Sequence, residues 1–331
     1  MPLPEKSLIA QIRQLAASGS SARPSPQRKS VITGIGDDCA ILRFSESSRK
    51  KLDTLVTTDF SIEGIHFRRD WHYPESVGHR CLARGLSDIA AMGGDPVAAF
   101  LSLAVPRDVP QLWIKRFLRG LLSLAKKNGV TLAGGDTAES PTGILADIVV
   151  VGSVPQGQAV LRSRAHPGDR LYVTGELGGS AAALKEMTKK NRKLSPRDYP
   201  RHFFPEPRIE LGRILREKHI ATSMIDTSDG LSTDLTHICE ESAVGAELQA
   251  NAIPRAKVGK PLREVDLELA LHGGEDYELL FTAPASKKVP SRLAGVPITH
   301  IGTVTRSRRI FLMNSSGAAS PLKPQGWEHF R

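Results

Sequence analysis

Cysteine is scarce in this chain, with three residues in 331, at positions 39, 81 and 239. The wide spacing of Cys39, Cys81 and Cys239, with no CxxC pair, excludes a disulfide framework and a cysteine zinc site and leaves three small buried thiols. Aromatic residues are sparse too, at 5%. The basic clusters Arg49-Lys50-Lys51, Arg68-Arg69, Lys189 to Lys193 and Arg306 to Arg309 carry no interleaved rings. The net charge of +10 therefore reads as solvated surface, with some attraction for anionic phosphates, and nucleic acid is not an expected partner. No apolar run approaches the ~18 residues that cross a bilayer, so no membrane partner is expected. Met1 to Lys6 lacks the basic-then-apolar layout of a signal peptide, which points to the cytoplasm. GxxxxGK[ST], HExxH, GxSxG and a GxGxxG after a strand are all missing, which excludes a P-loop nucleotidase.

What is present is a theme of short apolar runs that meet an aspartate. Gly34-Ile35-Gly36-Asp37-Asp38-Cys39-Ala40 opens it. Thr54 to Asp59, Val130 to Asp136 and Thr222 to Asp229 repeat it. Runs of this length rich in β-branched residues predict buried strands, with each aspartate just past a strand end at the edge of a sheet. Carboxylates that converge there repel one another unless a cation neutralises them, and hard oxygen donors suit Mg²⁺ carried with phosphates. Asp37, Asp38, Asp59, Asp88, Asp136, Asp226 and Asp229 form the set. Singly, each is more often a turn former or helix cap; the repetition is what favours metal.

The length and the 40% hydrophobic and 24% charged content predict two soluble domains with real cores, divided by the polar connector Pro155 to Pro167. Domain spans of 1–155 and 156–331 follow. Ser7 to Ala17 has helical periodicity, and Ser18 to Ser30 reads as a loop. Ser76 to Met92 predicts a helix with Leu82, Leu86 and Ile89 as its buried stripe. Asp88 lies near the C-terminal end of that helix, where the macrodipole disfavours it, so it needs either a cation or Arg84 one turn back. Pro96 to Val105 is a strand, Val109 to Asn128 a helix, and Val130 to Ala133 a strand leading into Gly134-Gly135-Asp136-Thr137, where glycine permits close approach to a ligand. Phe60 to Trp71 reads as a loop, and Lys189 to Pro207 as an insertion or long loop. Ser228 or Asp229 is placed to cap the helix carrying Leu231, Leu235 and Ile238. Arg162 suits a bidentate phosphate clamp or an ordinary surface position. His66 among apolar neighbours is by residue type more often structural. Trp327, without an obvious core partner, leans towards stacking on a ligand.

With these residues in view, the chain resembles the thiamine-monophosphate kinase family, in the superfamily of aminoimidazole ribonucleotide synthetase and selenophosphate synthetase. The resemblance runs in order through Gly34 to Ala40, Thr57-Thr58-Asp59, Ser87 to Gly93, Gly134 to Thr137, Arg162-Ser163 with Pro167-Gly168-Asp169, Ile225 to Leu231 and Gly273 to Leu279. Gly273-Gly274-Glu275-Asp276-Tyr277-Glu278-Leu279 with Ser228-Asp229-Gly230-Leu231 points to the thiamine branch. The resemblance implies ATP-dependent phosphorylation of thiamine monophosphate to thiamine diphosphate. It implies several Mg²⁺ ions on Asp38, Asp59, Asp88, Asp136 and Asp226, assisted by Thr57 and Thr58, with a further ion on Asp229. Gly135, Asp136, Arg162 and Ser228 would contact ATP; His66, Glu275 and Trp327 would meet the thiamine phosphate. Asp59, Asp88 and Asp136 are the expected catalytic residues. The implied fold is α+β, two mixed α/β domains in which the N-terminal sheet pairs with its copy in a homodimer and the C-terminal domain closes over an ATP cleft. An anionic acceptor oxygen needs no strong general base, so alignment and charge neutralisation carry the reaction. The alternatives are amide activation in purine synthesis, selenophosphate synthesis and a basic nucleic-acid-binding protein. The Gly-Gly-Glu-Asp-Tyr-Glu segment opposes the first. The lack of a cysteine before the first motif opposes the second.

Overall fold

The computed structural model describes residues 4–18, 30–44 and 51–327. Most of the loop expected between Ser18 and Ser30 lies outside them. The first half of the chain builds a six-stranded sheet from β1 (Val31–Thr33), β2 (Ala40–Leu42), β3 (Leu52–Ile62), β4 (Asp95–Val105), β5 (Thr131–Glu139) and β6 (Leu145–Pro155), in the order β1-β2-β3-β6-β4-β5. Neighbours are antiparallel except β4 and β5, which are parallel and need a helical crossover. That crossover is α3 (Gln111–Lys127); α1 (Glu5–Ser18) precedes the sheet and α2 (Pro74–Ala91) joins β3 to β4.

α2 starts with Pro74 in its first turn, where the missing N–H is harmless. Its stripe Leu82, Leu86 and Ile89 is fully buried, each side chain stabilising the fold by about 1.5–3 kcal/mol relative to exposure. Its other faces are covered too. At the crossing with α3, a Cβ on Gly78 would lie 1.9 Å from the Phe117 carbonyl oxygen, so only glycine lets the two backbones meet. Ala90 and Ala91 at the end of α2 join a separate cluster with Leu211, Leu215, Met224 and Phe281 from the second half of the chain. α2 is thus packed into both halves.

The second sheet runs β16-β15-β9-β14-β7-β12-β8. In chain order its strands are β7 (Arg170–Thr174), β8 (Ser223–Asp226), β9 (Gly245–Gln249), β12 (Leu279–Ala283), β14 (Val296–Thr305), β15 (Ile310–Met313) and β16 (Ala319–Pro321), with β13 (Arg292–Leu293) beside β14. A small hairpin pairs β10 (Lys257–Val258) with β11 (Arg263–Glu264). The helices are α4 (Gly179–Lys190), α5 (Pro200–Phe203), α6 (Ile209–Glu217), α7 (Leu231–Ser242) and α8 (Leu267–His272).

Four local expectations are corrected. The strand expected to stop at Asp59 continues to Ile62, and the one expected to stop at Ala133 continues through Gly135 and Asp136 to Glu139. Both aspartates therefore lie within strands. Gly135 (φ 146°) is required by the neighbouring strand, since a Cβ there would sit 1.8 Å from the Leu101 carbonyl oxygen. α7 is capped by Gly230 with no side-chain cap; instead Asp234 in its first turn accepts from the backbone N–H groups of Asp229 and Gly230. The segment expected as a loop from Lys189 contains α5, which buries Phe203 completely. The three cysteines are buried thiols, and no described helix is long and apolar enough to cross a membrane.

Candidate active site

Three elements bring carboxylates to one point. Asp38 follows the turn at Gly36, Asp88 stands on the last turns of α2, and Asp226 ends β8. One carboxylate oxygen from each lies within 4.8 Å of the others, in a largely buried setting. Ser87 Oγ donates to Asp226 Oδ2 at 2.5 Å, and Thr57 Oγ1 donates to Asp88 Oδ2. Asp59 stands close enough to Asp88 for the two carboxyls to feel each other's charge.

Burial and mutual repulsion make several carboxyls here reluctant to ionise. Burial, then Asp38, pushes the Asp37 carboxyl up to about 7. Burial, then Asp38, raises Asp226 to about 8. Burial first and Asp59 next hold Asp88 well above its usual value, and burial likewise raises Asp59. Clustered hard oxygens that cannot all ionise together are the donor set a divalent cation requires, and Mg²⁺ fits it.

Arg162 lies in the short helical turn Arg162–Arg164, and its Nη2 donates to Asp38 Oδ1 at 2.6 Å while Nε donates to Asp38 Oδ2 at 3.2 Å. The expected phosphate clamp is thus held by a carboxylate of the cluster. Strand alternation sends Thr57 and Thr58 to opposite faces. Thr57 is buried beside Asp88, whereas Thr58 Oγ1 donates to Asp147 at 2.7 Å.

A cavity of about 1280 Å³ opens beside the cluster, and Asp59, Asp88, His66, Ser228, Asp229, Glu275 and Trp327 all line it. This volume exceeds the ~300–1,000 Å³ of a site for one small ligand and suits two. His66 Nδ1 accepts from the Ile62 N–H at 3.0 Å, which fixes the ring. Trp327 is half exposed and its backbone N–H donates to the Asp229 carbonyl at 3.1 Å, which holds this residue at the mouth. Burial raises Asp229 to about 6. Glu275 (φ 64°) lies in a strained loop, and its carboxylate is held by Arg80 and Arg84, each at 2.5 Å. Burial opposes its ionisation, but the two arginines win and hold it at about 2.

Gly135 and Asp136 are absent from this assembly. β5 is the edge strand, three strands from β3, so Asp136 lies about 14 Å across the sheet from the row of Asp59 at ~4.8 Å per strand. Arg80, Arg84 and Ser87 were not singled out as site residues from the sequence. Their spacing was the available signal, since Arg84 and Asp88 stand four apart and share a helix face.

This fold and site define a class. Residues 36–154 match the AIR synthase related protein, N-terminal domain, and residues 166–313 match the AIR synthase related protein, C-terminal domain. The thiamine-monophosphate kinase of Salmonella typhimurium is 38% identical over 315 residues, covering 92% of this chain and 93% of the relative. That of Bacillus subtilis is 35% identical, covering 91% and 94%. A solved structure, AaThiL complexed with AMPPCP and TMP, has 29% identity and a TM-score of 0.82, covering 100% of this chain and 99% of its own. Within the AIR synthase related proteins, the chain belongs to the thiamine-monophosphate kinase family.

Proposed function

We propose that the chain transfers the terminal phosphoryl group of ATP to thiamine monophosphate, giving thiamine diphosphate and ADP. The observation that carries this is a buried three-carboxylate cluster that reaches, through Asp88, the same large cavity that His66, Glu275 and Trp327 line. The solved neighbour's complex with AMPPCP and TMP supports the same pair of substrates here. Asp38, Asp88 and Asp226 would hold Mg²⁺, with Asp59, Asp229, Thr57, Thr58 and Asp136 as further ligands. The metal would neutralise phosphate charge and hold the reacting groups in line. Ser228, Gly135 and Arg162 would contact ATP, Arg162 by exchanging its Asp38 partner for phosphate. Trp327 stacks on the thiamine rings, and His66 stands where the acceptor phosphate meets β3.

The remote position of Asp136 supports a homodimer. β5 is exposed along nearly its whole length, and Phe60, Val97 and Phe100 expose large side chains from the same sheet. Pairing that sheet with its copy covers them and brings the partner's edge strand towards the site. In this reading residues 1–155 form the metal and dimerisation domain, residues 156–331 cover the nucleotide and substrate, and the enzyme works in the cytoplasm. The test is ADP release from ATP and Mg²⁺ with thiamine monophosphate, beside a thiamine-only control. Thiamine diphosphate formed from the monophosphate alone supports the reading; no turnover with either acceptor refutes it.

A further inference from the structure

Arg84 was expected, at most, to neutralise Asp88, yet its head turns elsewhere. Its Nη2 donates to Glu275 Oε1 at 2.5 Å and its Nη1 to the Phe60 carbonyl at 3.3 Å. The second bond is long, and Nε is buried with no hydrogen-bond partner among the described residues. A guanidinium carries five N–H donors and cannot lose its charge, so a buried one with spare donors is an unfinished arrangement. Its side chain is only 12% exposed, and what it exposes faces the cavity.

The charge balance of this wall points the same way. Arg80 Nη2 takes the other Glu275 oxygen at 2.5 Å. Two arginines against one glutamate leave one positive charge at this wall, with Asp59 of the carboxylate cluster on one side of it and the His66 and Tyr277 end of the cavity on the other. Phe60, which Arg84 touches, directly follows Asp59. Helix geometry sets Arg84 one turn from Asp88 on the same face. A single helix thus offers a metal ligand and, one turn away, a planar cation.

We infer that Arg84 binds the phosphate of the acceptor, thiamine monophosphate, and that Glu275 is a positioning residue that aims the guanidinium. The inference rests on the proposed reaction. Glu275 has both oxygens occupied, so it meets the acceptor through Arg84. Bidentate contact with a phosphate while Glu275 is retained needs the arginine fork; a lysine offers the charge without the geometry.

The test compares Arg84→Gln and Arg84→Lys with the wild type. It measures KM for thiamine monophosphate, the inhibition constant of unphosphorylated thiamine as competitor, and KM for ATP. A phosphate contact predicts a tenfold or greater rise in KM for the monophosphate in Arg84→Gln, with the thiamine and ATP constants within twofold, and a smaller rise in Arg84→Lys. Equal weakening of thiamine and its monophosphate assigns Arg84 to loop packing and overturns the inference, as does an unchanged KM. Should Arg84→Gln show no cooperative melting transition, Arg84→Lys makes the same comparison. A wild type that fails to convert the monophosphate removes the underlying reading; normal wild-type turnover with unaltered variants removes this inference alone.

Discussion

Replacing Asp226 with Asn asks whether the carboxylate cluster destabilises the fold until a cation arrives. In the metal-free protein the Asp226 carboxyl is raised from 3.8 to about 8. The stability associated with its bound proton is fully present below about 3.8 and is lost as pH rises through about 8. At about pH 7.5 most of that loss has occurred, with a ceiling of about 5 kcal/mol at ~1.36 kcal/mol per pK unit. Water entry and side-chain relaxation reduce this to about 2 kcal/mol as a working figure. Asn keeps the shape and an acceptor for Ser87 Oγ, so it removes the ionisation alone. The metal-free variant should melt about 4–8 °C above wild type near pH 7.5, at ~2–4 °C per kcal/mol. The gap should shrink towards zero near pH 4. Mg²⁺ at a hundredfold excess over its Kd should stabilise wild type by about 2.7 kcal/mol and the variant far less, so the order of melting reverses. Thermal melts in chelator and in MgCl₂ across this pH range read all three effects. A variant that melts at or below wild type in chelator, with an unchanged Mg²⁺ response, refutes the reasoning.

Glu278 tests the fold alone. It is fully buried and accepts from Arg201 Nη1 at 2.9 Å, Arg208 Nε at 2.7 Å and Thr174 Oγ1 at 2.6 Å, so Glu278→Ala should cost about 3 kcal/mol in urea unfolding because it strands Arg208 and leaves Arg201 with Glu176 alone; a loss under 1 kcal/mol would contradict the network. Asp136→Ala should lower kcat at least ~100-fold with stability within ~0.5 kcal/mol, since the residue is exposed; wild-type-like turnover would sink its catalytic role. Phe100→Glu on the outer sheet face should convert a dimer to monomer in sedimentation velocity, and an unchanged sedimentation coefficient would place the interface elsewhere.

The stripe Leu82, Leu86 and Ile89 was legible because a 3.6-residue period needs only local sequence, and α2 buries all three. The placement of Asp59 and Asp136 was not. Aspartate is depleted from strands, so each was read as a strand end, although pairing with β6 carries β3 past Asp59 to Ile62 and pairing with β4 carries β5 past Asp136. The convergence of Asp38 and Asp226 was anticipated from a repeated strand-end motif, whereas Asp88 entered through its unfavourable place near a helix C-terminus. That Asp136 stands on the far edge depends on strand order, which no local pattern encodes. The cap of α7 was misplaced by one residue because Gly230, at φ 112°, can take a backbone path that Asp229 cannot. The Glu275 pairing was invisible because its arginines stand on a helix of the other half of the chain.

The burial of α2 on all sides has a consequence for how the enzyme can change over generations and how it opens in solution. Amide protons along α2 should exchange only through global unfolding, so Asp88 is presented either in full register or not at all. New acceptor specificity is therefore least disruptive where backbone can drift without disturbing that helix, in the loop bearing His66 and the segment bearing Trp327. The chemistry is inherited rigidly, and the choice of molecule is left to the rim.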